Sequence, residues 1–125
     1  EKATVIYYSG QLPNVLIDWL AYRPRATALR FFPDYDGVGL QNYARLRERL
    51  GSSVSLWLMP NWPAKLVMFG YAQLWSDTLP AFISATKYPA YERFEPGVLE
   101  LMRTMQQRGL ALEQEAVWLD ASSPP

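Results

Sequence analysis

Three short apolar runs, separated by two segments of helical periodicity and joined by short loops, constrain this chain more than any other feature. Ala3 to Tyr8 reads as a buried strand closed by Ser9-Gly10. Pro13 then suits the first turn of a helix carrying Val15, Leu16, Trp19 and Leu20 on one stripe, and Arg23-Pro24-Arg25 ends it. A second strand runs through Thr27 to Phe32. A second helix follows from about Val38 to Leu50, with Leu40, Tyr43, Leu46 and Leu50 at helical spacing and Gly51 as its stop. Val54 to Met59 makes a third strand. Strand, helix, strand, helix, strand in this order predicts an α/β fold built on a parallel sheet with right-handed crossovers.

After Pro60 the pattern changes, because Pro60, Pro63, Pro80, Pro89 and Pro96 break the remainder into pieces without strand alternation. The second half is therefore expected to be mostly helical, with helices from Ala64 to Phe69 or beyond, near Leu79 to Thr86, and from Pro96 to Arg108 with Gly109 as its stop. Its aromatics (Trp62, Phe69, Tyr71, Trp75, Phe82, Tyr88, Tyr91, Phe94), together with Trp57, are read as core and lid packing rather than base stacking. A chain of 125 residues, half of them apolar, suffices for one core. One domain is expected over residues 1–119, with 120–125 as a disordered tail that ends in Ser122-Ser123-Pro124-Pro125.

Composition removes several chemistries. There is no cysteine and no histidine, which excludes disulfides, thiol nucleophiles, Cys/His zinc sites and histidine acid–base catalysis. Net charge is zero, so any nucleic-acid contact must come from local clusters such as Arg23, Arg25 and Arg30, or Arg45, Arg47 and Arg49. No signal peptide or membrane-length apolar run is visible, which makes a cytoplasmic location the expectation and leaves no role for a membrane. The opening Glu1-Lys2, leading directly into an apolar run, suggests a fragment of a longer protein.

Carboxylates, Lys, Tyr and Ser remain as possible catalysts, and the carboxylates are the ones that cluster. Asp34 and Asp36 follow the second strand and precede Gly37, and in an extended chain residues i and i+2 point the same way, with Tyr35 facing elsewhere. Such a pair suits a hard divalent cation at the carboxyl end of a strand, where open α/β sheets bind ligands. The same residues also suit a helix N-cap followed by an exposed turn. A second acidic cluster, Glu113-Gln114-Glu115, lies between apolar residues. If it packs against the sheet, at least one of its glutamates is expected near the interior, where a cation would stabilise it; a solvated pair, or acids at a helix N-terminus, is the competing reading.

The order Tyr8-Ser9-Gly10, then Phe32-Pro33-Asp34-Tyr35-Asp36-Gly37-Val38-Gly39-Leu40, then Leu112-Glu113-Gln114-Glu115 resembles the C-terminal Toprim domain of Wadjet nuclease subunits (the JetD or MksG type). More distantly it is similar to the Toprim domain of the topoisomerase VI A subunit. The resemblance implies a metal-dependent DNA endonuclease domain in which Asp34 and Asp36 bind Mg²⁺ or Mn²⁺. It implies Glu113 as a further metal ligand and Glu113 or Glu115 as an acidic catalytic contributor. It implies DNA as substrate, and SMC-like (condensin-like), kleisin and winged-helix subunits as partners in plasmid defence; a homodimer stays open. Hydrolysis by water is expected rather than covalent attack by a tyrosine. Arg30 and Arg45 are candidates for phosphate contact, with solvation on the surface as the alternative. One departure stands out: Toprim domains carry a glutamate at the end of an earlier strand, and Glu1 is out of place for it. Either that strand lies upstream, or the domain is degenerate and docks DNA or partner subunits without cutting. A haloacid-dehalogenase-like phosphatase, suggested by Asp34-Tyr35-Asp36-Gly37-Val38, ranks lower because Val38 stands where that family more often has Thr and no later acidic pair ends a strand.

Overall fold

Backbone hydrogen bonds lay three strands side by side in sequence order, β1 (Ala3–Tyr7), β2 (Ala28–Phe32) and β3 (Val54–Leu56), and every pairing is parallel. This computed structural model describes residues 10–22 and 28–120 in full and the backbone of residues 3–7. Tyr8, Ser9, Arg23-Pro24-Arg25, Thr27 and the Ser122–Pro125 tail, all named above, lie outside the described residues, as does Glu1. Helix α1 (Asn14–Tyr22) links β1 to β2, and α2 (Gly37–Leu50) links β2 to β3. Then come α3 (Trp62–Phe69), α4 (Ala72–Thr86) and α5 (Pro96–Arg108). The fold is therefore mixed α/β with a largely helical second half, as the spacing predicts. Among the described residues, no helix is long and apolar enough to cross a membrane.

One core joins the two halves. Phe31 of β2, Leu40, Tyr43 and Leu46 of α2, Leu66 of α3, Leu101 and Met105 of α5, and Leu112 are all fully enclosed in it. Phe82 and Phe94 are buried, and Trp62, Phe69, Trp75, Tyr88 and Tyr91 lean on the same core, so these aromatics pack as expected. Tyr71 departs from that expectation, with its ring mostly in solvent.

Three local expectations are corrected. In α1 the buried residue is Ile17, flanked by half-buried Leu16 and Leu20, while Val15 and Trp19 face outward. Helix α4 begins at Ala72, a full two turns before Leu79, and runs through Pro80. Proline forfeits one backbone bond there, yet packing of α4 across α2, the most extensive helix pair of the molecule, holds the helix together. Third, β3 stops at Leu56 instead of Met59.

That early stop has a visible cause. Trp57 N still donates to Phe31 O (2.9 Å), but Pro33, next in the ladder, has no N–H to offer Trp57 O, and the Tyr35 side chain takes its place. The fully buried Tyr35 hydroxyl donates to Trp57 O (2.7 Å) and accepts from Met59 N (2.8 Å). Burial pushes this phenol above its ordinary pKa, so it stays protonated and keeps both roles. Tyr35→Phe strands the part-buried Trp57 carbonyl and the buried Met59 N–H, and should cost about 2 kcal/mol in urea unfolding. A loss below about 0.5 kcal/mol would mean that the backbone of residues 57–59 is held by something else.

Candidate metal centre

Both acidic clusters meet at the carboxyl end of the sheet. Asp36 has extended backbone (φ −139°, ψ 179°) and is the N-cap of α2, its Oδ1 accepting from Gly39 N at 2.8 Å. The capping role and the strand-end placement are thus realised together, and the side chain is buried. Gly39 permits this close turn: a methyl there would stand 2.1 Å from the carbonyl oxygen of Asp34. Tyr35, between the two aspartates, points into the core, as the alternation requires.

Asp34 reaches across 80 residues of sequence. Its Oδ1 accepts from Gln114 N at 2.7 Å, so the second acidic segment is tied directly to the first. Two antiparallel bridges align that segment, Tyr35 with Leu112 and Tyr71 with Ala111, each with hydrogen bonds in both directions. Glu113 and Glu115 are both solvent-exposed, contrary to the expectation that one would sit near the interior. The chain from Gln114 to Trp118 is a 3-10 turn, and its buried positions are taken by the flanking Leu112 and by Ala116 instead.

Electrostatics at this end are one-sided. Burial raises the pKa of Asp36 to about 6, opposed by the Gly39 N–H and reinforced by repulsion from Asp34 and Glu113. Burial raises Asp34 as well, opposed by the Gln114 N–H and reinforced by Glu115. Among the described residues no basic side chain forms an ion pair with any of these four acids. Lys65, itself buried on α3, donates to Val117 O (3.3 Å) and so braces the Gln114–Trp118 turn. Arg45 bonds Asn42 Oδ1 (3.1 Å) and Asn14 Oδ1 (2.6 Å), which occupies it with structure, whereas Arg30 of the central strand is exposed.

The donors suit a hard cation in kind. Among the described residues, no three acidic side chains converge closely enough to form a cage. Mg²⁺ does not require one, because it keeps several waters and usually takes one or two carboxylates plus substrate phosphate. Asp34 and Asp36 are the pair that would hold it, each with acceptor capacity beyond its backbone bond. Glu113 and Glu115 lie within electrostatic range of the pair without completing a three-carboxylate set.

Two features of this end escaped the sequence reading. Asn42, buried within α2, accepts from Leu12 N (3.0 Å) and donates to Gly10 O (2.7 Å), fixing the turn that follows β1. An amide at the edge of an apolar helical stripe was the available signal. Beside Asp34 there is also a cleft of about 290 Å³ between Phe32, Trp57 and the Gln114–Trp118 turn, which no motif announces. Comparison of the chain with known protein families, characterised proteins and solved structures yields no match.

Proposed function

We propose that this chain is a Toprim-like, metal-dependent DNA nuclease domain that works in a condensin-like complex with SMC-like, kleisin and winged-helix subunits. The observation that carries the reading is the Gln114 N to Asp34 Oδ1 bond, which gathers Asp34, Asp36, Glu113 and Glu115 at the carboxyl end of one parallel sheet. Four carboxylates without a described cation partner form an environment suited to a divalent ion. Mg²⁺ or Mn²⁺ bound there supplies Lewis-acid stabilisation of charge developing on a phosphodiester. The chain's part is to hold Asp34 through Gln114 N and Asp36 through Gly39 N, so that neither carboxylate must reorganise when charge builds up. Arg30, exposed on the central strand, makes no side-chain hydrogen bond or ion pair among the described residues, whereas Arg45 is held by Asn42 and Asn14, and Arg30 is the better phosphate contact of the two.

One observation favours a second reading. Asp36 already serves as a helix cap, and no three-carboxylate cage forms among the described residues, which suits a degenerate domain that docks DNA or partner subunits. Calorimetric titration with Mn²⁺ separates the two. The parent chain should bind, and Asp34→Asn or Asp36→Asn should weaken binding by at least about tenfold, a loss of roughly 1.4 kcal/mol, with circular dichroism unchanged. Absence of binding by the parent would overturn the nuclease reading in favour of docking.

A further inference from the structure

The Gln114–Trp118 turn sets apolar and acidic groups side by side on the surface. Trp118 is 85% exposed and Leu119 45%, although both side chains would gain by leaving water. Their neighbours Glu113 and Glu115 are exposed as well. Trp118, Val117 and the partly buried Trp57 line a cleft of about 290 Å³, and Gln114 and Glu115 complete its rim. Small-molecule sites usually measure roughly 300–1,000 Å³, so a cleft below that range suits the anchoring side chain of a protein partner better than a whole ligand. The cleft is also preformed. Lys65 Nζ holds Val117 O at 3.3 Å, Asp34 Oδ1 holds Gln114 N at 2.7 Å, and Ala116 is buried beneath the turn, so little ordering remains to be done on binding.

Charge decides the occupant. Glu113 and Glu115 flank the cleft and Asp34 lies behind Gln114, and none of the three has a basic ion-pair partner among the described residues. Lys65, the cation bonded to this turn, is buried and spends its ammonium on the Val117 carbonyl. With no divalent ion bound, such a rim repels phosphate polymers and anionic lipid. A two-fold contact between copies of the chain would set the same glutamates against each other. A cationic partner meets none of these penalties.

We infer that this cleft is a docking site for a segment of a partner protein, one that packs a large apolar side chain against Trp57 and Trp118 and sets a neighbouring lysine or arginine against Glu113 and Glu115. The apolar anchor supplies affinity, and the charges select the partner and speed its approach. The inference goes beyond the nuclease reading and does not rest on it, because the site needs neither metal nor DNA.

The test is an NMR titration of the isotope-labelled chain, in EDTA, with three short capped synthetic peptides: alternating leucine and lysine, alternating leucine and glutamate, and alternating serine and lysine. The leucine–lysine peptide should shift the indole signals of Trp118 and Trp57 and the amide of Glu115. The leucine–glutamate peptide should leave them in place, and the serine–lysine peptide should bind about tenfold more weakly or worse. Trp118→Ala should weaken the leucine–lysine peptide by about tenfold or more, and Glu113→Gln combined with Glu115→Gln by about threefold or more. All three positions are exposed, so both variants should keep their fold by circular dichroism. Absence of shifts at millimolar leucine–lysine peptide, equal binding of either of the other peptides, or parent-like affinity in Trp118→Ala would each overturn the site. Mn²⁺ calorimetry reads the metal centre separately: peptide binding without Mn²⁺ binding supports the docking site while removing the nuclease reading, and the converse removes only the docking site.

Discussion

Asp36→Asn is expected to stabilise the metal-free chain at neutral pH by roughly 2–3 kcal/mol while removing its response to Mn²⁺. Asparagine caps a helix about as well as aspartate, so the bond to Gly39 N survives the exchange. What disappears is the cost of keeping a buried carboxylate ionised next to Asp34 and Glu113. The sign follows from linkage. The folded protein holds this proton up to about pH 6, whereas the unfolded chain releases it near 3.8. The folded state therefore binds more protons between those values, and its stability falls as pH rises through that window. Below the unfolded value both states are protonated and the benefit of low pH is fully present. The gap between variant and parent should thus be widest above pH 6, shrink through the window, and close below about pH 4. Mn²⁺ favours the ionised carboxylate, so it should raise the melting temperature of the parent at neutral pH and have little effect at pH 4. Thermal denaturation across pH, with and without Mn²⁺, reads both effects. Equal stability of parent and Asp36→Asn at neutral pH would show that the carboxylate is not under electrostatic load.

The same residue explains why aspartate-to-alanine exchange is a poor probe of chemistry here. Asp36→Ala removes the α2 cap as well as the charge, so lost cleavage could reflect a frayed helix. Asparagine separates the two roles.

Much of this centre was legible in the chain because its signals are local. An apolar run, two acids one residue apart and a glycine turn lie within one stretch, Phe31 to Gly39, and the structure forms a strand end, an N-cap and a helix from them. The burial of Glu113 or Glu115 was misjudged for the opposite reason. Apolar neighbours imply burial only when the backbone period is known, and a 3-10 turn selects Ala116 and spares both glutamates. The cleft was hidden because Phe32, Trp57 and Trp118 come from three separate segments. In the fold, strand and helix periodicity located the described elements to within a few residues, except the start of α4, which lies two turns earlier than expected. Failures came where tertiary contact overrode local grammar, at Pro80 inside α4 and at Tyr35, whose hydroxyl replaces the end of β3.

Gly37→Ala should be the most damaging single-atom addition in the described chain, with an expected loss of about 3 kcal/mol or more and a melting temperature lower by roughly 10 °C. A methyl at residue 37 would stand 1.8 Å from the carbonyl oxygen of Thr78 and 2.7 Å from Phe82 N, and both are backbone atoms of α4 that cannot rotate away. Gly37 N also donates to Thr78 Oγ1 at 2.9 Å, so α4 is seated directly on the first turn of α2. Relief requires lifting α4 from α2 or shifting the turn that carries Asp36, and the second route would also weaken Mn²⁺ binding. Gly97→Ala is the internal control. Its methyl meets only the tip of the Leu58 side chain, at 2.9 Å, and alanine favours helix there, so the net change should stay within about 1 kcal/mol. Urea denaturation of the two variants beside the parent decides the matter. If Gly37→Ala were as stable as Gly97→Ala, α4 would not be seated on the N-terminus of α2, and the support for the Asp36 turn would have to come from elsewhere.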